Sequence, residues 1–201
     1  MESKLLAEGR LRLSLRYPTP TDTFLDNAAF YGTLPGQTFG LEMTSEKILS
    51  LGRRMDDLEY FTTVASSLPV TAEQQSPHQF VLHPDKQTSW SFTVHFGQTA
   101  DTSAPGFEAV QKQAAADWNR FWLSGGMIDF GAVKDKRARE LERRMILSLY
   151  LTKINCAGRM PPQETGLTQN SWYGKPHLEM EWWHGVHFAL WGRPDILAGH
   201  L

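Results

Sequence analysis

The hydrophobic period of this chain changes once, across DTSAPG at residues 101–106. Upstream, apolar residues alternate with polar ones in short runs. Downstream, they recur every three or four positions in long runs. A period of two suits the pleat of a half-buried strand, and a period of 3.6 suits one face of a helix. Sheet is therefore expected before the switch and helix after it. RLRLSLR (10–16), HQFVLH (78–83) and TSWSFTVHF (88–96) predict strands, and FLDNAAFYG (24–32), QTFGLEM (37–43) and LEYFTTVAS (58–66), separated by Pro and Gly clusters, are further candidates. Pro84 and Asp85 supply turn chemistry between HQFVLH and TSWSFTVHF, which predicts a hairpin joining them. Short strands at this spacing suggest a sheet or sandwich, whose edges need pairing.

After the switch, FEAVQKQAAADWNRFW (107–122) predicts a linker helix. Phe107, Val110, Ala114, Trp118 and Phe121 form one apolar stripe, and Gly125-Gly126 end it. KRARELERRMILSLYLTKINCA (136–157) predicts a second helix, with Asp135 as N-cap and Glu140–Arg144 as an i,i+4 pair. Gly158 stops it and Pro161-Pro162 prevent its resumption. From Met145 to Leu151 it is apolar almost all round, which predicts burial on every side. A polar loop (161–175) leads to a third helix, HLEMEWWHGVHFALWG (177–192), with Gly192 and Pro194 ending it.

Composition narrows the function classes. The chain has 201 residues, a formal charge of −2 and 41% apolar residues, the profile of an ordinary globular chain of one domain or two small ones. That charge leaves no basic footprint for nucleic acid. No apolar run reaches the roughly 18 residues of a membrane span. The N-terminus lacks the apolar stretch of a signal peptide. A lone Cys156 excludes a disulfide framework and any cysteine-rich zinc site, and favours a cytoplasmic location.

Most of the distinctive chemistry lies in about thirty residues. Four of the seven Trp fall between 172 and 191, and three of the seven His between 177 and 187. Glu164, Asn170, Tyr173, Lys175, Glu179 and Glu181 accompany them. Flat aromatic faces beside carboxylates and amides suit a sugar, whose C–H faces pack on Trp and whose hydroxyls need fixed donors and acceptors. Trp172 falls in the loop and is expected to face a ligand. Trp182, Trp183 and Trp191 have helical spacing, which favours packing in a core.

Other chemistry is less well supported. Glu181-x-x-His184 has the spacing of carboxylate-bridged metal sites, which need the same motif on a second helix, and no such motif occurs. Glu179 and Glu181 lie about 200° apart on a helix, so they cannot flank one scissile bond. Cys156, at the end of an apolar helix, suits a buried structural thiol better than a nucleophile. No metal and no cofactor is expected.

The segment 139–193 resembles the first helical hairpin of six-hairpin (α/α)6-barrel glycosidases. It looks nearest to uncharacterised fungal and bacterial members, and is more distantly similar to the maltose and kojibiose phosphorylase family. That distant family carries Gly-Leu-Thr, then Tyr-x-Gly, then Trp-Asp-x-Glu at the second barrel helix. Here Gly166-Leu167-Thr168, Tyr173-Gly174-Lys175 and Leu178-Glu179-Met180-Glu181 follow in that order. The family's Asp grips sugar hydroxyls beside the broken bond. On this resemblance Glu179 takes its place, one methylene longer and preceded by Leu178 instead of Trp.

The resemblance implies an α+β chain: a β-sandwich portion (1–104), a linker helix and turn (105–134), and the first hairpin of an incomplete (α/α)6 barrel (135–201). It implies a carbohydrate partner and a substrate-binding set of Trp172, Glu179, His177, Asn170, Lys175 and Glu164. A full barrel needs about twelve helices, and the family's general-acid Glu lies in sequence absent here. The expectation is a fragment of a glycoside hydrolase or phosphorylase, inverting when complete and acting on neutral oligosaccharides or glycosides. It carries no catalytic residue of its own and is inactive alone. The alternatives are a non-catalytic sugar-binding module and a self-associating module that pairs through an exposed hairpin.

Overall fold

A computed structural model describes residues 1–19, 21, 30–101, 103–160, 163–165 and 178–200. The fold is α+β, with two antiparallel sheets followed by helices. Two compact units divide it. One holds 1–19 and 29–116, and the other 20–28 and 117–201.

The β unit opens with a short helix α1 (Lys4–Ala7), capped where Ser3 Oγ accepts from Leu5 N–H at 3.2 Å. The strands are β1 (Leu13–Arg16), β2 (Gln37–Ser45), β3 (Ile48–Met55), β4 (Leu58–Ser66), β5 (Val70–Ser76), β6 (Gln79–Pro84) and β7 (Phe92–Gly97). One sheet has the order β1-β6-β5 and the other β2-β3-β4-β7. Inward residues of both sheets, Leu49 and Val64 from one and Val70 and Leu82 from the other, close over Trp90 and Leu6. A second cluster joins Tyr17, Leu51 and Phe80, with Phe39 and Tyr60 against it.

The expected hairpin of 78–83 with 88–96 does not form. β6 is flanked on both sides by β5 and β1, and β7 pairs with β4 in the other sheet. Two residues, Pro77 and His78, already turn β5 into β6, so β6 has no free edge. The chain then crosses sheets, anchored by Trp90, which is 1% exposed and donates Nε1–H to Ser66 Oγ at 2.8 Å. β3 and β5 are strands that alternation did not reveal. β3 carries Arg53 at a core position, and β5 is largely polar along an edge. The candidate strand FLDNAAFYG falls mostly outside the described residues, and its last three, 30–32, are not strand.

Arg53 is 3% exposed. Its Nη2 donates to Pro18 O at 2.8 Å, and its Nη1 to Tyr60 Oη at 3.1 Å. The Phe39 ring lies 5.1 Å below its guanidinium carbon. Burial pushes the neighbouring Tyr17 phenol up to about 12, and burial, then the Arg53 charge, holds His78 below its ordinary value.

The helices are α2 (Phe107–Leu123), α3 (Arg137–Cys156), α4 (Leu178–Met180), a π-turn (Glu181–Gly185), α5 (Val186–Leu190) and α6 (Pro194–Ala198). The N-cap position of α3 is Lys136 and not the expected Asp135, which lies one residue earlier and accepts Arg137 N–H at 2.9 Å. Glu140 bridges both Arg143 and Arg144 at 2.8 Å. The core of the helical unit is Phe121, Cys156 and Phe188, with Trp118, Trp122, Ile196 and Leu197 around it. Arg193, 5% exposed, donates to Phe121 O in the last turn of α2 and to Gly126 O beyond its end. Gly126 N–H donates to Trp191 O at 2.6 Å. A Cβ on Gly125 (φ +67°) would collide with that same carbonyl, so only glycine fits there.

Three further helix expectations are corrected. The α2 stripe is buried only at its end: Phe107 and Val110 are exposed, and Phe121 is buried. α3 is not buried on every side. Ala138, Leu149 and Cys156 are buried, whereas Leu147, Tyr150, Leu151 and Ile154 are each at least 40% exposed. Pro194 does not merely end a helix, because after Gly192 (φ +75°) it starts α6, where its missing N–H costs nothing.

Candidate functional site

The described part of the aromatic segment is a helix interrupted by a π-turn. Such turns re-aim side chains and are common at functional sites. Trp182 and Trp183 lie in it, 69% and 63% exposed, which corrects their expected packing in a core. The physical reason is local. Met180, Gly185 and Phe188 face inward, and the two indoles fall on the opposite side. Trp191 is half-buried.

Glu179 is exposed and accepts from Trp183 Nε1–H at 3.2 Å. This bond holds one indole plane beside a carboxylate that keeps its second oxygen for another donor. Glu181 turns the other way, toward the interior. Its carboxylate oxygens lie 3.0 and 3.1 Å from Nδ1 of His200, whose side chain is fully buried. Gly185 makes room for this, since a Cβ there would strike the Glu181 carboxylate. The two acids therefore diverge, as their spacing predicts.

Glu164 is exposed, and its backbone carbonyl accepts from His184 Nε2 at 3.3 Å. That contact ties the end of the described loop to the aromatic helix. His184 O in turn accepts from His187 Nδ1 at 2.9 Å, and burial holds His187 below its ordinary value. Glu181 and His184 thus serve separate partners, and the described residues contain no group of three or more metal-type side chains. Trp172, His177, Asn170 and Lys175 lie outside the described residues. The expected binding set is therefore represented here by Glu164 and Glu179. Cys156 is buried, and burial pushes its thiol up to about 11, the reverse of what a nucleophile needs.

A second polar cluster escaped the sequence reading. A groove of about 560 Å3 lies beside α2 and α3, lined by Asp117, Arg120, Lys153, Arg193 and Asp195 among others, and neither Glu164 nor Glu179 lines it. Lys153 Nζ stands 4.0 Å from the Trp118 ring centre and 4.7 Å from that of Phe121. Burial holds its ammonium below the ordinary lysine value, offset by Asp117. The available signal was a lysine near the end of an apolar helix, a position that cation–π packing explains.

No described helix is long and apolar enough to cross a membrane. No protein-family model, curated protein or solved structure matches the chain.

Proposed function

We propose that this chain is a segment of a carbohydrate-active enzyme, a glycoside hydrolase or phosphorylase, in which a β-sandwich portion leads through α2 into the first hairpin of an (α/α)6 barrel. One observation carries the reading. Two adjacent exposed indoles stand on the aromatic helix, and one of them is fixed by the carboxylate of Glu179. An indole face takes the C–H side of a sugar, and a neighbouring carboxylate accepts from its hydroxyls. The exposed apolar side of α3 supports the barrel part of the proposal, because a barrel helix is covered by the hairpins that follow it. Glu179 would then be a binding residue, and Glu164 would tie its own segment to the aromatic helix through His184. Glu179 and Glu181 face different sides of the aromatic helix and do not pair across one bond, so the expected activity is binding without turnover.

The test is a titration of the 201-residue chain with neutral oligosaccharides, read by Trp fluorescence. A saturable shift in the millimolar range is expected. It should be lost in Glu179→Ala and weakened in Trp183→Phe. A saturable shift that survives Glu179→Ala unchanged would remove Glu179 from the site. No shift with any neutral oligosaccharide would sink the proposal.

A second reading rests on the same exposed face of α3. Leu147, Leu151 and Ile154 offer apolar area to a second copy of the chain. Sedimentation at several concentrations separates the readings, since a clean monomer counts against self-association.

A further inference from the structure

The four-stranded sheet carries a groove of about 440 Å3, within the range of small-molecule sites. Leu49, Leu51 and Arg53 are the core positions of β3, so alternation places Ser50, Gly52 and Arg54 on the opposite face, where the groove lies. Its floor is a row across β2, β3 and β4, which continues beyond the groove to Gly97 on β7. Gly40 pairs with Gly52, Gly52 with Phe61, and Phe61 with Gly97.

Folding accounts for Gly52 in this row but not for Gly40. Glycine inside a strand weakens the sheet, and often marks a place where something approaches the backbone closely. Neither Gly40 nor Gly52 has a positive φ that would require glycine. A Cβ on Gly52 would press on the Phe61 ring at 3.1 Å, so that glycine seats the ring. A Cβ on Gly40 would meet nothing within 4 Å. Position 40 is therefore open floor.

An independent observation lies in the same groove. Ser50 lines it and is only 3% exposed, yet its hydroxyl has no hydrogen-bond partner among the described residues. A buried hydroxyl left unpaired is costly, and a ligand hydroxyl would satisfy it. Glu42 stands directly across from Ser50, and Arg54 directly across from Glu59. Two carboxylates against one guanidinium make the groove rich in acceptors and unfavourable to an anion.

We infer that this groove is a second, non-catalytic carbohydrate site, which takes a pyranose ring of a neutral saccharide. The ring lies over Gly40 with one C–H face against Phe61. Its hydroxyls meet Ser50 and Glu42 on one side, and Arg54 with Glu59 on the other. The site is independent of the Glu179 surface, and either can exist without the other.

The experiment is an NMR titration of the 15N-labelled 201-residue chain with maltohexaose and, separately, with cellohexaose. Backbone amides report the glycine row, and indole N–H signals report Trp182 and Trp183. The expected result is saturable movement of the Gly40, Gly52 and Phe61 amides at millimolar concentrations of at least one sugar. Gly40→Val should weaken that response by about tenfold, leave the indole response unchanged, and keep or raise Tm, because the new side chain enters open space. If valine unfolds the chain, Gly40→Ala carries the same test. Amides of the row that stay still with both sugars overturn the inference. So does a folded Gly40 variant that binds as well as the unaltered chain. Failure of the Glu179 proposal would appear separately, as silent indoles.

Discussion

Trp90 and Trp183 have opposite surroundings in the two units of this chain. Both indoles donate a hydrogen bond, one to Ser66 Oγ and the other to Glu179. Trp90 is 1% exposed between two sheets, and Trp183 is 63% exposed on a short helix. The β unit closes on itself because paired strands from distant parts of the chain supply both walls of its core. The helical unit buries Phe121, Cys156 and Phe188, and leaves Leu147, Leu151, Ile154 and the two indoles facing outward. A hydrogen bond to an indole is thus compatible with either fate, and the packing around the ring decides which one it has.

The contrast can be broken most sharply at the tryptophans. Trp90→Ala should destabilise the β unit by about 3–5 kcal/mol, whereas Trp182→Ala and Trp183→Ala should each stay within about 0.5 kcal/mol of the unaltered chain. Urea denaturation measures all three. Equal losses at Trp90 and Trp183 would mean that the aromatic helix is packed after all.

Two pH-linked probes sharpen it next. The Tyr17 phenol is held neutral by burial, with its folded value raised from 10.0 to about 12. Its contribution is complete below pH 10 and is lost as pH rises through about 12. The β unit should lose about 2–3 kcal/mol across that window, and Tyr17→Phe should flatten this part of the profile. In the helical unit, Cys156 is raised from 9.0 to about 11. At pH 8 its reaction with a thiol reagent should be about a hundredfold slower than that of a free thiol. A fast reaction would reveal that the helical unit opens readily.

The smallest effects are expected on the exposed side of α3. Leu151→Gln should change stability by no more than about 0.5 kcal/mol, and should abolish concentration-dependent sedimentation if that face self-associates. Glu140, held at about 2 by Arg143 and Arg144, contributes fully above its ordinary range and loses that contribution as pH falls from there through about 2. Because it is a surface group, Glu140→Gln should leave the helical circular dichroism of the chain nearly unchanged.

Local pattern made much of this legible. Alternation placed β1, whose burial alternates as its residues do. The Glu140–Arg144 pair was legible because it spans no more than one helical turn. Pattern failed where a residue's surroundings come from elsewhere. Arg53 reads as polar and sits in a core, because Pro18, Tyr60 and the Phe39 ring arrive around it from other segments of the chain. Trp182 and Trp183 read as core and sit outside, since helical spacing does not say which side of a helix is covered. At the candidate site, the sequence indicated the divergence of Glu179 and Glu181, but not the partners, Trp183 and His200, that each acid finds.

The sequence by itself determined where the chain changes from strand to helix and where α3 begins, because these depend on neighbours within a turn or a pleat. The tertiary structure alone decided that β6 and β7 belong to different sheets, that α3 keeps an apolar side in the open, and that Gly40 and Gly52 open a groove across three strands. Each of those outcomes depends on which distant segments meet. Hydrophobic period reports that a face is apolar, but it does not report what will cover it.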